Sequence, residues 1–238
     1  MNKQEFNDAV LLRYDFGLKG VPTTCSCGDP YTVNHALICK SGGYVSMRHN
    51  KLRDLTGELL TVAGCKDMKI EPQLLPLSGE ELLPGSNKSE FAQLDVSARG
   101  VWAPLDRAFF DIRVFHPQAQ TNASIKTVPG MYTHHEQLKK RHYNNRVINV
   151  EKGTFTPLVF STSGGAGQEA TRFMKTVAQK ISESTNQQYS HVMAFVRRRY
   201  RFALLRTCII ALRGYRKRPK GHQEAAIEDL NVGMIPKD

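Results

Sequence analysis

Residues 108–117, AFFDIRVFHP, form the stretch on which the reading of the fold turns. Phe110, Ile112 and Val114 alternate onto one face, as in a core-facing strand. Phe109, Asp111, Arg113 and Phe115 share the other face. A strand this apolar needs a reason to keep a carboxylate and a guanidinium side by side, because a buried charge is costly unless paired or metal-bound. A structural ion pair is one reason, and a functional acid is the other.

Sixteen residues upstream of Asp111, the segment AQLDVSARG (92–100) reads as a second strand carrying Asp95. If the two strands pair antiparallel around the 99–107 turn, the aspartates converge at neighbouring positions. Two carboxylates that close repel, and Mg²⁺ or Mn²⁺ resolves the repulsion by binding both, with water completing its shell. Such an ion activates water for attack on a phosphodiester. A cation beside it stabilises the charge that develops. Arg113 shares the face of Asp111, and Lys139 or Lys140 can reach from the next helix.

Moving outward, residues 5–18 are expected to be helical and 22–43 to be a Pro/Gly/Cys-punctuated loop region. Leu52, Leu55, Leu59, Leu60 and Val62 follow helical spacing up to a stop at Gly64. Three extended stretches come next (MKIEPQLLPL, AQLDVSARG and RAFFDIRVF), then a loop over 117–130 and a polar helix from His134 to Glu151. FTPLVFSTS is a further strand, and two helices follow, the last from about Tyr189 to Arg216. The order α-β-β-β-α-β with helices after it predicts a mixed sheet packed by helices. Gly165-x-Gly167-x-x-Ala170 mimics a dinucleotide fingerprint, but no strand follows its helix. It reads instead as a strand-to-helix turn with amides open to a phosphate. Trp102 is expected to pack at the strand turn, Met174, Met193 and Phe195 in the core, and His134 and His135 at an exposed loop end.

Cys25, Cys27, His35 and Cys39 stand at C-x-C-x7-H-x3-C in CSCGDPYTVNHALIC. Three thiolates and one imidazole make a common structural zinc set. His35 and Cys39 lie one helical turn apart and point the same way. Three of five cysteines crowded into one loop fit a metal site better than a disulfide framework.

The chain of 238 residues carries a net charge of +11, and residues 189–220 hold ten Lys or Arg and no acid. Such a block implies a polyanion partner, with Arg197, Arg198 and Arg199 as candidate phosphate contacts alongside Arg48, His49 and Lys140. His49 can equally serve as a helix-start packing residue. At 40% hydrophobic, the chain has no run of the roughly 18 apolar residues that a membrane span needs. Its first ten residues lack a signal-peptide apolar region, so an intracellular location is expected.

The sequence of Cys25-x-Cys27…His35-x3-Cys39, Arg48-His49-Asn50, Glu71-Pro72, Leu94-Asp95-Val96, Asp111-Ile112-Arg113 and a Lys-rich helix ending near Tyr143 resembles the C-terminal restriction-like endonuclease region of non-LTR retrotransposons. There a CCHC zinc motif precedes a PD-(D/E)XK core. Across nearly the whole chain it is also similar to C-terminal segments of reverse-transcriptase-bearing retroelement proteins, through RHNKLRDL, FFDIRVFHP and FTPLVFSTSGG. The resemblance implies an α/β, PD-(D/E)XK restriction-endonuclease-like fold with an N-terminal zinc knuckle and C-terminal basic helices. It implies metal-dependent nicking of target DNA in the nucleus, with DNA and element RNA as partners and a reverse transcriptase in the same or a companion chain. By it, Asp95 and Asp111 are the motif acids and metal ligands. Leu94 stands where proline is frequent and Arg113 where lysine is typical. Arginine stabilises charge but cannot act as a base, so Lys139 is the candidate replacement. Glu58, on the first core helix, is either the extra metal acid of the fold or a solvated helix residue. A catalytically inactive nucleic-acid-binding module is the alternative function. The expected layout is an N-terminal helix and zinc knuckle (1–47), a nuclease-like core (48–168), basic C-terminal helices (169–220) and an acidic tail (221–238).

Overall fold

The computed structural model describes residues 2–14 and 16–214. Arg216, Lys217, Arg218, Lys220 and the acidic tail lie outside the described residues. Four strands form one mixed sheet in the order β1-β2-β3-β4: β1 Lys66–Ile70, β2 Val96–Arg99, β3 Arg107–Phe115 and β4 Thr154–Ser161. β1–β2 and β2–β3 are antiparallel, and β3–β4 is parallel. Helices α1 Lys3–Arg13, α2 Val33–Ile38 and α3 Tyr44–Val62 precede the sheet. Helix α4 Val128–Arg146 crosses from β3 to β4, and α5 Gln168–Thr185 and α6 Tyr189–Arg213 close the fold. No helix among the described residues is long and apolar enough to cross a membrane.

The strand at 108–117 is central, which explains its two apolar faces. Phe110 and Ile112 join Leu52, Leu55, Leu59 and Leu60 of α3, Phe173 and Val177 of α5, and Val196 and Tyr200 of α6 in one core. Phe109 and Phe115 face the α4 side, in two smaller clusters with Val147 and Met131. Burial of each large apolar side chain contributes ~1.5–3 kcal/mol, so this two-sided strand anchors both layers. β1 is exposed along most of its length and carries Lys66 and Lys69, which discourage edge-to-edge pairing. Among the four named strands β4 pairs with β3 alone, and an edge position tolerates Pro157. Gly64, at φ +74°, ends α3 as its spacing predicts.

Helix α4 starts at Val128, six residues before the expected start at His134. Thr127 caps it by accepting the Gly130 amide, and Pro129 sits in the first turn, where its missing N–H costs nothing. His134 and His135 are therefore helical. His135 is buried, not exposed: its ring lies 4.7 Å from that of Phe115, and its Nε2 is 3.0 Å from Asn122 Oδ1. Met174 and Met193 are buried in the main core, and Trp102 packs on its border.

Candidate functional site: an acid pair and a cysteine–histidine cluster

Register places the two aspartates. Val96 pairs with Phe110, and the Asp95 amide donates to that same Phe110 carbonyl at 3.1 Å, so Asp95 sits just before β2, opposite the residue that precedes Asp111. Asp95 Oδ2 accepts the Ile112 amide at 2.5 Å and lies 3.1 Å from His49 Nε2, on α3. Asp111 is only 6% exposed. Lys139 Nζ, reaching down from α4, lies 2.7 Å from Asp111 Oδ2 in an ion pair. The result is a compact group of two acids and two potential cations: His49, Asp95, Asp111 and Lys139.

The electrostatics follow from this packing. Burial pushes the Asp111 carboxyl up, Lys139 pulls it back, and the charge of Asp95 adds to the upward push. The hydrogen bond to Asp95 raises His49 against the downward pull of burial. Tyr143 lines the same region, its hydroxyl pushed up first by burial and then by Asp111. Lys139 Nζ sits 5.7 Å from the Tyr143 ring centre. Among the described residues neither aspartate Oδ1 has a hydrogen-bond partner. Two carboxylates with free oxygens suit a hard divalent cation that keeps most of its water, since Mg²⁺ binds through one or two carboxylates plus substrate phosphates.

Several expected site residues stand elsewhere. Glu58 pairs with Arg199 across α3 and α6 at 2.6 Å. It lies nine residues along α3 from His49, about 13 Å at 1.5 Å per residue, so it is not a third acid beside Asp95. Arg48 is 2% exposed, with Nη2 donating to the Leu37 carbonyl at 2.9 Å, so it presents nothing to a surface phosphate. Lys140 is tied to Glu169 at the start of α5. Arg113 is exposed on the face of Asp111. Arg197 and Arg198 are exposed on α6, whereas Arg199 is engaged by Glu58.

The phosphate reading of Gly165–Gly167 is also overturned. The buried Glu136 carboxylate accepts the Glu169 amide at 3.0 Å and so occupies the first turn of α5. A Cβ on Gly165 would collide with the Tyr132 hydroxyl, and one on Gly167 with the Glu136 carboxylate. These glycines let α4 approach the turn. Gly165→Ala is expected to cost ~2 kcal/mol, as overpacking does, because Tyr132 is held by Ser161 at 2.7 Å and by the Phe115 ring. A urea midpoint equal to that of the native chain would contradict this.

Sequence reasoning missed Arg146 altogether. It is fully buried and donates to the carbonyls of Leu75, Asn87 and Ser89, clasping the 72–92 loop against α4. Its charge is solvated by backbone carbonyls, which leave no pattern in the sequence.

The cysteine cluster is compact. The ligand atoms of Cys25, Cys27, His35 and Cys39 all lie within 4.8 Å of one another. Sγ of Cys39 is 3.8 Å from those of both Cys25 and Cys27, and Cys27 Sγ is 3.3 Å from His35 Nε2. A zinc tetrahedron with Zn–S near 2.3 Å has S···S edges of about 3.8 Å, so the four residues fit the ion. Thr32 caps the short α2 by accepting the His35 amide at 3.0 Å, and that turn sets His35 and Cys39 side by side. Among the described residues this is the one group of three or more such ligands close enough to share an ion. It can hold a structural zinc.

Comparison of the chain with protein families, with curated proteins and with solved structures returned no match.

Proposed function

We propose that the chain is a metal-dependent DNA endonuclease domain of PD-(D/E)XK type from a retroelement protein, nicking target DNA so that reverse transcription can prime there. One observation carries the reading: Asp95 accepts the amide of Ile112, the residue after Asp111, and Lys139 lies 2.7 Å from Asp111. A catalytic Mg²⁺ or Mn²⁺ would be held by Asp95 and Asp111, with water and a phosphate oxygen as its other ligands, and would supply Lewis-acid activation. Lys139 takes the place of the motif lysine from α4, orienting Asp111 and facing the scissile phosphate. His49 fixes Asp95. Arg113, two residues beyond Asp111, meets the phosphate charge without acting as a base. The test is conversion of supercoiled plasmid to the nicked form by purified protein with Mg²⁺ or Mn²⁺, against an EDTA control. A panel of DNA sequences is needed because a selective nuclease ignores most of them.

A specific observation favours a second reading, a nucleic-acid-binding module that has kept the fold without the chemistry. Asp111 already has a cation in Lys139, so its burial is compensated with no metal ion. No Mg²⁺-dependent nicking on any substrate, with DNA binding intact, would select this reading.

The basic helix serves DNA binding in both readings, and α6 divides its arginines by face. Arg199, Arg206 and Arg213, seven residues apart, pair with Glu58, Glu5 and Asp8. Arg197, Arg198 and Arg201 are exposed. Replacing those three with Ala should weaken DNA binding and reduce the slope of log K against log salt by up to ~2.7, at ~0.9 for each phosphate no longer neutralised. An unchanged slope would give the exposed arginines a solvated role.

A further inference from the structure

Arg48 is a buried cation with no carboxylate paired to it among the described residues. Its Nη2 donates to the Leu37 carbonyl, while Nε and Nη1 are buried without a hydrogen-bond partner among the described residues. The polar groups around it are neutral. The Cys208 thiol, pushed up by burial, is drawn back by Arg48. His116, pushed down by burial and then by Arg48, spans Thr162 Oγ1 at 2.7 Å and Asn34 Oδ1 at 3.1 Å. Arginine does not lose its proton inside a protein. An uncompensated buried charge costs several kcal/mol, and the single carbonyl on Arg48 offsets less of it than the three that solvate Arg146.

The carbonyl that Arg48 grips belongs to Leu37, two residues before Cys39 and two after His35. When three thiolates and one neutral imidazole take up Zn²⁺, the centre carries a net charge of about −1. We propose that Arg48 is the counter-cation of this zinc–thiolate centre, and that it latches the zinc loop onto α3. Asn34, on α2, adds a second tie through His116 to the end of β4. Arg48 thus acts as a positioning residue for the loop, and its neighbour in the chain, His49, fixes Asp95. Zinc occupancy and the geometry of the acid pair share one helix turn.

The test crosses an Arg48 substitution with zinc. Zinc affinity is measured on the full chain by competition with a chromophoric chelator, and melting is followed with and without zinc. Arg48→Met should weaken zinc binding about 10–100-fold, the usual effect of removing an outer-shell partner. It should lower the melting temperature of the zinc-loaded protein while leaving that of the stripped protein equal or raised, because the stripped protein holds the uncompensated charge. Equal losses in both forms would make Arg48 a packing residue and overturn the proposal. So would a native chain that takes up no zinc. If Arg48→Met fails to fold at all, Arg48→Lys decides, because it keeps the charge without the fork: affinity within about threefold of native supports the assignment, and a tenfold or greater loss overturns it.

Discussion

Asp111→Ala is expected to leave supercoiled DNA uncut under Mg²⁺ conditions in which the native chain nicks it, with a rate loss of about a thousandfold or more. A catalytic metal supplies several kcal/mol of transition-state stabilisation, and ~4 kcal/mol corresponds to roughly a thousandfold in rate. Asp95→Ala should match it, because Asp95 accepts the amide that follows Asp111 and the two carboxylates would share one ion. Affinity for DNA, measured in Ca²⁺ or EDTA, should change little, since in the proposed binding mode the phosphates meet the exposed arginines of α6. Any change should be a slight strengthening, because a repelling carboxylate is removed. Lys139→Ala separates the active-nuclease reading from a structural ion pair. In a nuclease it lowers the nicking rate strongly. In an ion pair alone, Lys139→Ala strands a buried carboxylate and destabilises the fold, whereas Asp111→Ala leaves a lysine that is 27% exposed and can reach water, at little cost. A stability loss for Lys139→Ala with no change in nicking would therefore refute the proposed chemistry. Arg113→Ala, on an exposed side chain, reports on phosphate charge with little effect on stability.

What was legible in the sequence was whatever one element encodes by itself. The alternation of Phe109 to Phe115 gave the strand and its faces. The spacing of four ligands gave the metal loop, and the leucines of α3 gave a core helix. What failed depended on distant partners. Glu58, Glu5 and Asp8 meet their arginines across 141, 201 and 205 residues of chain, so nothing local distinguishes Arg199 from Arg198. Arg48 and His49 are adjacent, yet the helix turn buries one beneath α2 and aims the other at Asp95. Thr127, by contrast, is locally readable, since Thr-Val-Pro-Gly is a capped helix start. The glycines at 165 and 167 matched a phosphate motif by spacing alone, and their purpose, room for Tyr132 and Glu136, belongs to a helix some thirty residues earlier.

Stripping the metal from the Cys25–Cys27–His35–Cys39 cluster with a strong chelator should release residues 19–43 while leaving the main core folded. Besides the metal, that loop is tied by a few hydrogen bonds, from Arg48 to the Leu37 carbonyl, from His116 to Asn34, from Tyr31 to the Leu212 carbonyl and from Arg213 to the Lys19 carbonyl. Of its side chains, Ala36 and Leu37 are the fully buried members of the small cluster formed with Tyr44, Cys208, Ala211 and Leu212. Their burial cannot match an ordering cost of ~1–2 kcal/mol per residue over some two dozen residues. Structural zinc, worth on the order of 10 kcal/mol in small domains, would supply the difference. Metal removal should lower the melting temperature by ~10–20 °C if about 5 kcal/mol is lost from a single transition, at ~2–4 °C per kcal/mol for a chain of this size. Cys39→Ser should do the same without chelator. Cys208 distinguishes the loss of the loop from global unfolding: it is 3% exposed and sits under α2 at the end of α6. In the zinc-loaded protein, only the half-buried Cys65 should react with a thiol reagent. After chelation Cys25, Cys27, Cys39 and Cys208 should react within the same time, while Tyr200, stacked on Phe160 at 4.9 Å in the main core, stays shielded from solvent. A stripped protein that melts at the native temperature with Cys208 still protected would show that packing alone holds the loop.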